Sequence, residues 1–400
     1  MNPSNTKNGR RAFIGNVGRM AALSCIPVPF ESVREAARQA GENTGFVPYL
    51  QNLTPEGVTV MFISGHPAQS WVEYGTDQTD RKAQTGTDGL LQAGNPLNKI
   101  RLTGLKPGMS YRYRIASRAI RTFEPYKQEF GPVEYSETYE FSTPDPGADQ
   151  VSCVILNDIH DRPYSFKDLM SVNPDFPYEF VVLNGDMFNY QTGQQQLQEH
   201  LINPCSAIFA REKPFLMLRG NHETRGKFAR NIKEYFDYDS GEYYFSFRQG
   251  PVHFIVLDSG EDKEDDHPEY HGLVAFDPYR EQQAVWLDQE LEQVRASGAR
   301  YCVVLMHIPP YHSGDWHGTM HCRKLFGPLF EKYKVDMVIS GHTHRWGIHP
   351  PDNDHGYPIV IGGGPKTGSR TKIELSAGLQ QLRVAMYNDK GEQVGSYTVS

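Results

Sequence analysis

The chain has 400 residues and a formal net charge of −8, a length that accommodates two or three domains. The acidic balance excludes a nucleic-acid binder that works through a broad basic surface, because phosphate contact needs clustered Lys and Arg. It leaves room for a small phosphorylated substrate held by metal ions, and no apolar run is long enough to span a bilayer.

Within residues 1–45, NGRRAFIG (8–15) sets Arg10 and Arg11 before Ala12, Phe13 and Ile14, and MAALSCIPVPF (20–30) lies a few residues on. This resembles a twin-arginine export signal and implies an exported, periplasmic or secreted protein. Two other readings stay open: a disordered basic tail on a cytoplasmic chain, and a lipid anchor at Cys25. The five cysteines form no CxxC pair. Cys153 and Cys302 fall in apolar runs and read as small hydrophobes. No essential disulfide is expected, with Cys205 and Cys322 the one pair left open.

From 46 to 145 the pattern is all-β. VTVMFI (58–63), WVEYG (71–75), KIRLTGL (99–105), YRYRIASRAI (111–120) and YEFST (139–143) are short runs rich in β-branched and aromatic residues, separated by turn residues at sandwich-like spacing. LTGLKPGMSYRYRI resembles the signature of fibronectin type III-like domains. STPDPGADQ (142–150) reads as a linker.

From 150 to 400 apolar strands alternate with amphipathic stretches. The strands are VSCVILND (151–158), FVVLNGD (180–186), FLMLRGNH (215–222), VHFIVLDS (252–259), YCVVLMH (301–307) and VDMVISGH (335–342). Helices are predicted over 281–296 and 322–333, and the C-terminus returns to β. Apolar strands joined by helices predict an α/β fold with both sheet faces covered. EDKEDDHPEYH (261–271) reads as a solvated acidic loop.

The strand ends carry the chemistry. They deliver Asp158 and His160, then Asp186, then Asn221 and His222, then His307, then His342 and His344. In α/β folds ligands bind beyond the carboxyl ends of the strands. One Asp or Asn after a strand starts a turn often enough to need no other account, but five strand ends of this kind on one rim are hard to explain as turn chemistry. Imidazole and carboxylate without thiolate suit Zn, Fe, Mn or Co rather than a closed structural zinc site. A carboxylate can also bridge two metals about 3.5–4 Å apart.

The ordered set D-x-H, G-D, G-N-H-E, H, G-H-x-H resembles the calcineurin-like metallophosphoesterases. With the β-sandwich in front and GEYYFSFRQGPVHFIVLDS, it is most similar to the purple acid phosphatase branch. The resemblance implies a four-layer domain with central mixed β-sheets flanked by helices. It implies that Asp158, His160 and His344 hold one metal, that Asn221, His307 and His342 hold the other, and that Asp186 bridges them. A metal-bound water or hydroxide would attack phosphorus, with His222 protonating the leaving oxygen.

The branch is departed from at two positions. Its first motif is Asp-x-Gly, where this chain has His160, and its iron-binding tyrosine falls at Asn189. Tyr190 is one residue off, which in an extended segment turns a side chain to the other face. A tyrosinate–Fe(III) centre is therefore not expected, and the two ions are read as Mn, Fe or Zn. His317 and His321, in the segment after His307, are candidate substrate contacts. The function expected is phosphomonoester hydrolysis of a small phosphorylated substrate. A phosphodiesterase or nucleotide-processing enzyme on the same scaffold is the alternative, and a non-catalytic binding protein the remote one. Nothing in the sequence defines an oligomeric state.

Overall fold

The computed structural model describes residues 45–238 and 240–400. The export-signal reading at Arg10 and Arg11 and the anchor reading at Cys25 lie outside the described residues. Among the described residues, no helix is long and apolar enough to cross a membrane.

Residues 49–142 contain only strands. Tyr49–Thr54, Gly57–Ile63 and Leu97–Thr103 form one sheet, and Ala68–Gly75, Arg81–Ala83, Ser110–Glu124, Lys127–Tyr135 and Tyr139–Ser142 form another. The alternation expected of half-buried strands is present: Tyr111, Tyr113 and Ile115 point inward with Phe141, and meet Val58, Val60, Phe62 and Leu102 from the facing sheet. The strand Tyr49–Thr54, missed in the sequence because its apolar residues do not alternate, ties this sandwich to the rest of the chain. Tyr49 Oη donates to the Tyr235 carbonyl at 2.8 Å, and Gln51 Nε2 donates to that of Phe215 at 2.8 Å. Tyr49, Met61 and Ile63 are buried in the same cluster as Phe166 and Leu183.

The remainder is built from two six-stranded mixed sheets. In the first, Val151–Leu156, Phe180–Asn184 and Phe215–Leu218 run parallel, continued antiparallel by Thr371–Ala377, Leu382–Asn388 and Gln393–Val399. In the second, Val252–Leu257, Tyr301–Met306, Met337–Ser340 and Ile359–Ile361 run parallel, with antiparallel edges at Phe245–Gln249 and Gly347–His349.

The two sheets pack face to face. Cys153, Ile155 and Val182 of the first meet Phe254, Val303 and Ile339 of the second. The residues between them turn outward under helices. Val154 and Leu156 meet Phe166 and Leu201, while Val304 and Met306 meet Leu291 and Phe326. Strands buried on both faces read as unbroken apolar runs for this reason, and the result is the four-layer arrangement expected. Cys205 and Cys322 are free and sit in opposite outer layers, so the bridge left open between them does not form.

Candidate metal centre

The parallel strands of both sheets end on one rim, and the turns that follow carry the expected ligands. Two of these turns are laced together: the Asp158 N–H donates to Gly185 O at 3.0 Å and that of His160 to Asp186 O at 2.9 Å. Asp158, His160, Asp186, His342 and His344 all hold left-handed backbone conformations, with φ between 49° and 74°. Such residues cost of order 1–3 kcal/mol each and cluster at functional sites. Gly185 (φ +83°) has a steric reason as well, because a Cβ there would overlap the His307 ring and Gly220.

The ligand atoms fall into two groups that share one carboxylate. Asp158, His160, Asp186 and His344 converge in one; Asp186, His307 and His342 converge in the other. Nε2 of His160 lies 2.9 Å from Nε2 of His344 and 3.6 Å from carboxylate oxygens of both Asp158 and Asp186. On the other side Nε2 of His307 lies 3.0 Å from Asp186 Oδ2, and Nδ1 of His342 lies 3.1 Å from Asn221 Oδ1. All seven expected ligands are therefore together, with Asp186 in the shared position.

The donor set fits cations. Nδ1 of His307 lies 2.8 Å from the Asn184 carbonyl. A carbonyl only accepts, so the hydrogen sits on Nδ1 and the Nε2 lone pair faces Asp186 Oδ2. Two lone pairs at that separation repel unless a cation or proton lies between them. His307 Nε2 and Asp158 Oδ1 are both buried without a hydrogen-bond partner. In the metal-free chain a proton takes this place. Burial would lower the His307 pKa, but the charges of Asp186 and Asp158 outweigh it and raise it to about 10. Burial, then the charge of His307, pushes His342 down to about 4.

Three residues outside the expected set brace the ligands. Buried Glu223 accepts from the backbone N–H groups of Asp186 (2.7 Å), Gly220 (2.8 Å) and Phe188 (3.2 Å), joining the turns that carry Asp186 and Asn221. Its burial, then the charge of Asp186, raises its pKa to about 7. Asn157 donates to Asp158 Oδ2 at 2.6 Å. Arg225 brings Nη1 within 3.2 Å of His222 Nε2 while forming a paired contact with Glu261 at 2.7 and 2.9 Å. Glu261 is thus buried and engaged, not part of a solvated loop. The E of the quoted G-N-H-E was the available signal for Glu223; nothing local marked Arg225.

His222 does not join either ligand group. Its Nδ1 lies 2.7 Å from the Asn189 carbonyl and its backbone N–H donates to Asp186 Oδ1 at 3.0 Å. Burial holds its imidazole below the ordinary range, with Arg225 and His160 adding to the effect and Asp186 opposing it. Tyr190 is exposed, whereas the Asn189 side chain turns to His160.

His317 and His321 are placed differently from expectation. The segment after His307 does not stay a loop: the helix His317–Tyr333 begins five residues before the predicted start. Positions i and i+4 share a helix face, and both imidazoles face Asp277, at 2.8 and 3.0 Å, rather than a metal ligand.

The strand ends of this mixed two-sheet fold thus converge on one shared carboxylate, the site expected of a metallophosphoesterase. Residues 152–346 match the calcineurin-like phosphoesterase family, and the chain carries that domain. Its relatives include purple acid phosphatase 1 of Ipomoea batatas, 31% identical over 37% of this chain and 32% of that protein. The probable purple acid phosphatase 20 of Arabidopsis thaliana is 23% identical over 73% of this chain and 66% of that protein. The matches thus span from about a third to two thirds of these relatives' own length. The purple acid phosphatase PPD1 from yellow lupin (Lupinus luteus) seeds shares the fold, with a TM-score of 0.68 at 18% identity over 89% of this chain and 74% of that one.

Proposed function

We propose that the chain hydrolyses phosphomonoesters with two metal ions, one held by Asp158, His160 and His344, the other by Asn221, His307 and His342, and both by Asp186. The observation that carries this is the shared Asp186 carboxylate, within reach of both imidazole groups. Ions bound there would lower the pKa of water and offset phosphate charge.

The chain's own groups supply the rest. The Asn189 carbonyl keeps one hydrogen on Nδ1 of His222, so a proton handed to a leaving oxygen would be the second one, carried on Nε2 when the ring is in its imidazolium form. Arg225 sets a fixed positive charge beside that nitrogen. The extra charge suits a dianionic monoester better than a monoanionic diester. Glu261 holds the guanidinium in place.

The test is a matrix of metals against aryl phosphate monoesters and diesters, with Asp186→Asn as control. Monoesters should turn over faster, and the control should be inactive. A diester cleaved much faster would sink the monoester assignment; activity retained in Asp186→Asn would sink the two-metal one.

A further inference from the structure

A second set of imidazoles closes between two loops away from the binuclear centre. His312 lies in the loop after the strand Tyr301–Met306, His349 ends the strand Gly347–His349, and Asp352 and His355 lie in the turn beyond it. Nε2 of His312 is 2.8 Å from Nε2 of His355, and Asp352 Oδ2 is 3.5 Å from the latter. The His349 ring stacks on His312 with centroids 3.8 Å apart and an 8° tilt.

The hydrogen positions follow from the partners. His355 is buried, and its Nδ1 lies 2.7 Å from the Tyr357 carbonyl. That oxygen only accepts, so neutral His355 presents a bare Nε2 to His312. Metal-binding histidines are oriented in this way by a carbonyl or carboxylate on the far nitrogen. Asp352 Oδ1 accepts from the backbone N–H groups of Asp354 (2.8 Å) and His355 (3.2 Å), which leaves Oδ2 for the imidazoles. His160 and His344 repeat the motif at the main centre: two Nε2 atoms 2.9 Å apart beside a carboxylate.

Local charge separates this cluster from the other one available. Asp277, between His317 and His321, is already paired at 2.9 Å with the buried guanidinium of Arg280, which occupies a cation's place. Among the described residues, Asp352 has no Lys or Arg ion-pair partner, and the neighbouring side chain is another acid, Asp354.

We propose that His312, Asp352 and His355 bind one borderline transition-metal ion of the zinc class. Two imidazoles and a carboxylate match its ligand preference. His312 and Asp352 are exposed, so the ion enters from solvent. The ion cross-links the loop that follows His307 to the 350–358 turn. This site is separate from the binuclear centre and does not rest on the proposed reaction.

Zinc bound per chain is counted by equilibrium dialysis and elemental analysis on full-length, tag-free protein in metal-buffered solution. His312→Asn is the main variant, because Asn tolerates the left-handed backbone there (φ 63°); His355→Gln is the second. Wild type should bind one more zinc ion than His312→Asn, and Asp186→Asn should keep that extra ion while losing the binuclear pair. Equal stoichiometry in wild type and His312→Asn would overturn the proposal, as would loss of all zinc in Asp186→Asn. His312 is on the surface, so His312→Asn decides the matter if His355→Gln does not fold.

Discussion

The side-chain oxygen of Asn189 lies 3.2 Å from Nδ1 of His160, on the far side of the ring from the metal rim. The Asn189 amide nitrogen donates to Asp161 Oδ2 at 2.9 Å, which fixes the amide with its oxygen towards the imidazole. The residue in the branch's tyrosine position thus orients a ligand, and its polarity leaves Nε2 of His160 free for a metal. Loss of such an outer partner typically lowers metal affinity by about 10- to 100-fold. Asn189→Leu should weaken the first metal by that much and leave the second near its original affinity, because the Asn189 amide bonds to His160 and Asp161, on the first metal's side. Titration against a competing chelator reads both steps; an unchanged first step would show that Asn189 does not orient His160.

Glu223 predicts a pH effect on the metal-free protein. Its folded pKa, about 7, lies above its ordinary value of 4.5. An acid shifted upward stabilises the fold while protonated, so its contribution is complete below about pH 4.5 and fades as pH rises through about 7. Wild type should therefore lose stability relative to Glu223→Gln across that window, measured by urea unfolding in the presence of chelator. Glu223→Ala removes the acceptor of three backbone N–H groups. It should cost about 3 kcal/mol or more at any pH, given about 1–3 kcal/mol for each buried unsatisfied group. Parallel pH profiles for wild type and Glu223→Gln would contradict the shift.

The strand-end ligands were legible because each follows a long apolar run, and such runs in an α/β pattern end on one rim. Asp158, Asp186, His307 and His342 could be placed from that rule alone, and the order of motifs did the rest. The supporting groups were not legible. Arg225 and Glu261 are 36 residues apart in sequence and meet only through the tertiary fold. Glu261 stands in a run of acids, where burial of one side chain leaves no periodic trace. GDWH carries no strong helix-start signal, so the sequence pattern starts the helix at Cys322 where the structure starts it at His317. The sandwich strand at 49–54 was hidden for a different reason: Tyr49, Leu50 and Gln51 are all buried, between the sandwich core and the neighbouring domain.

Gly185 predicts a coupled loss of stability and metal. Gly185→Ala incurs the left-handed backbone cost of about 1–2 kcal/mol and drives a methyl group into His307 and Gly220. Gly241→Ala isolates the first effect, since Gly241 has φ +70° and nothing within 4 Å of its missing Cβ. Gly185→Ala should be the less stable of the two by at least about 1 kcal/mol and should lose the second metal, while Gly241→Ala keeps both. Equal stabilities with full metal content would show that the turn yields without moving His307.

The contrast between His307 and His342 sets the pH dependence of metal uptake. In the metal-free chain His342 is held neutral, at about 4, whereas His307 carries a proton up to about 10 because Asp186 and Asp158 favour its charged form. A metal needs a ring-nitrogen lone pair from each, and on His307 that nitrogen is the Nε2 facing Asp186, so binding must displace the His307 proton. Between pH 6 and 9 affinity at the second site should rise about tenfold per pH unit, the slope of one proton released. Calorimetric titrations in buffers of different ionisation enthalpy count that proton directly. In Asp186→Asn the main charge raising His307 is gone along with the shared ligand, so metal uptake at this site and the proton release that accompanies it should both be lost. A release that stays the same in that variant would mean the proton comes from another group and that the Asp186–His307 contact does not govern uptake.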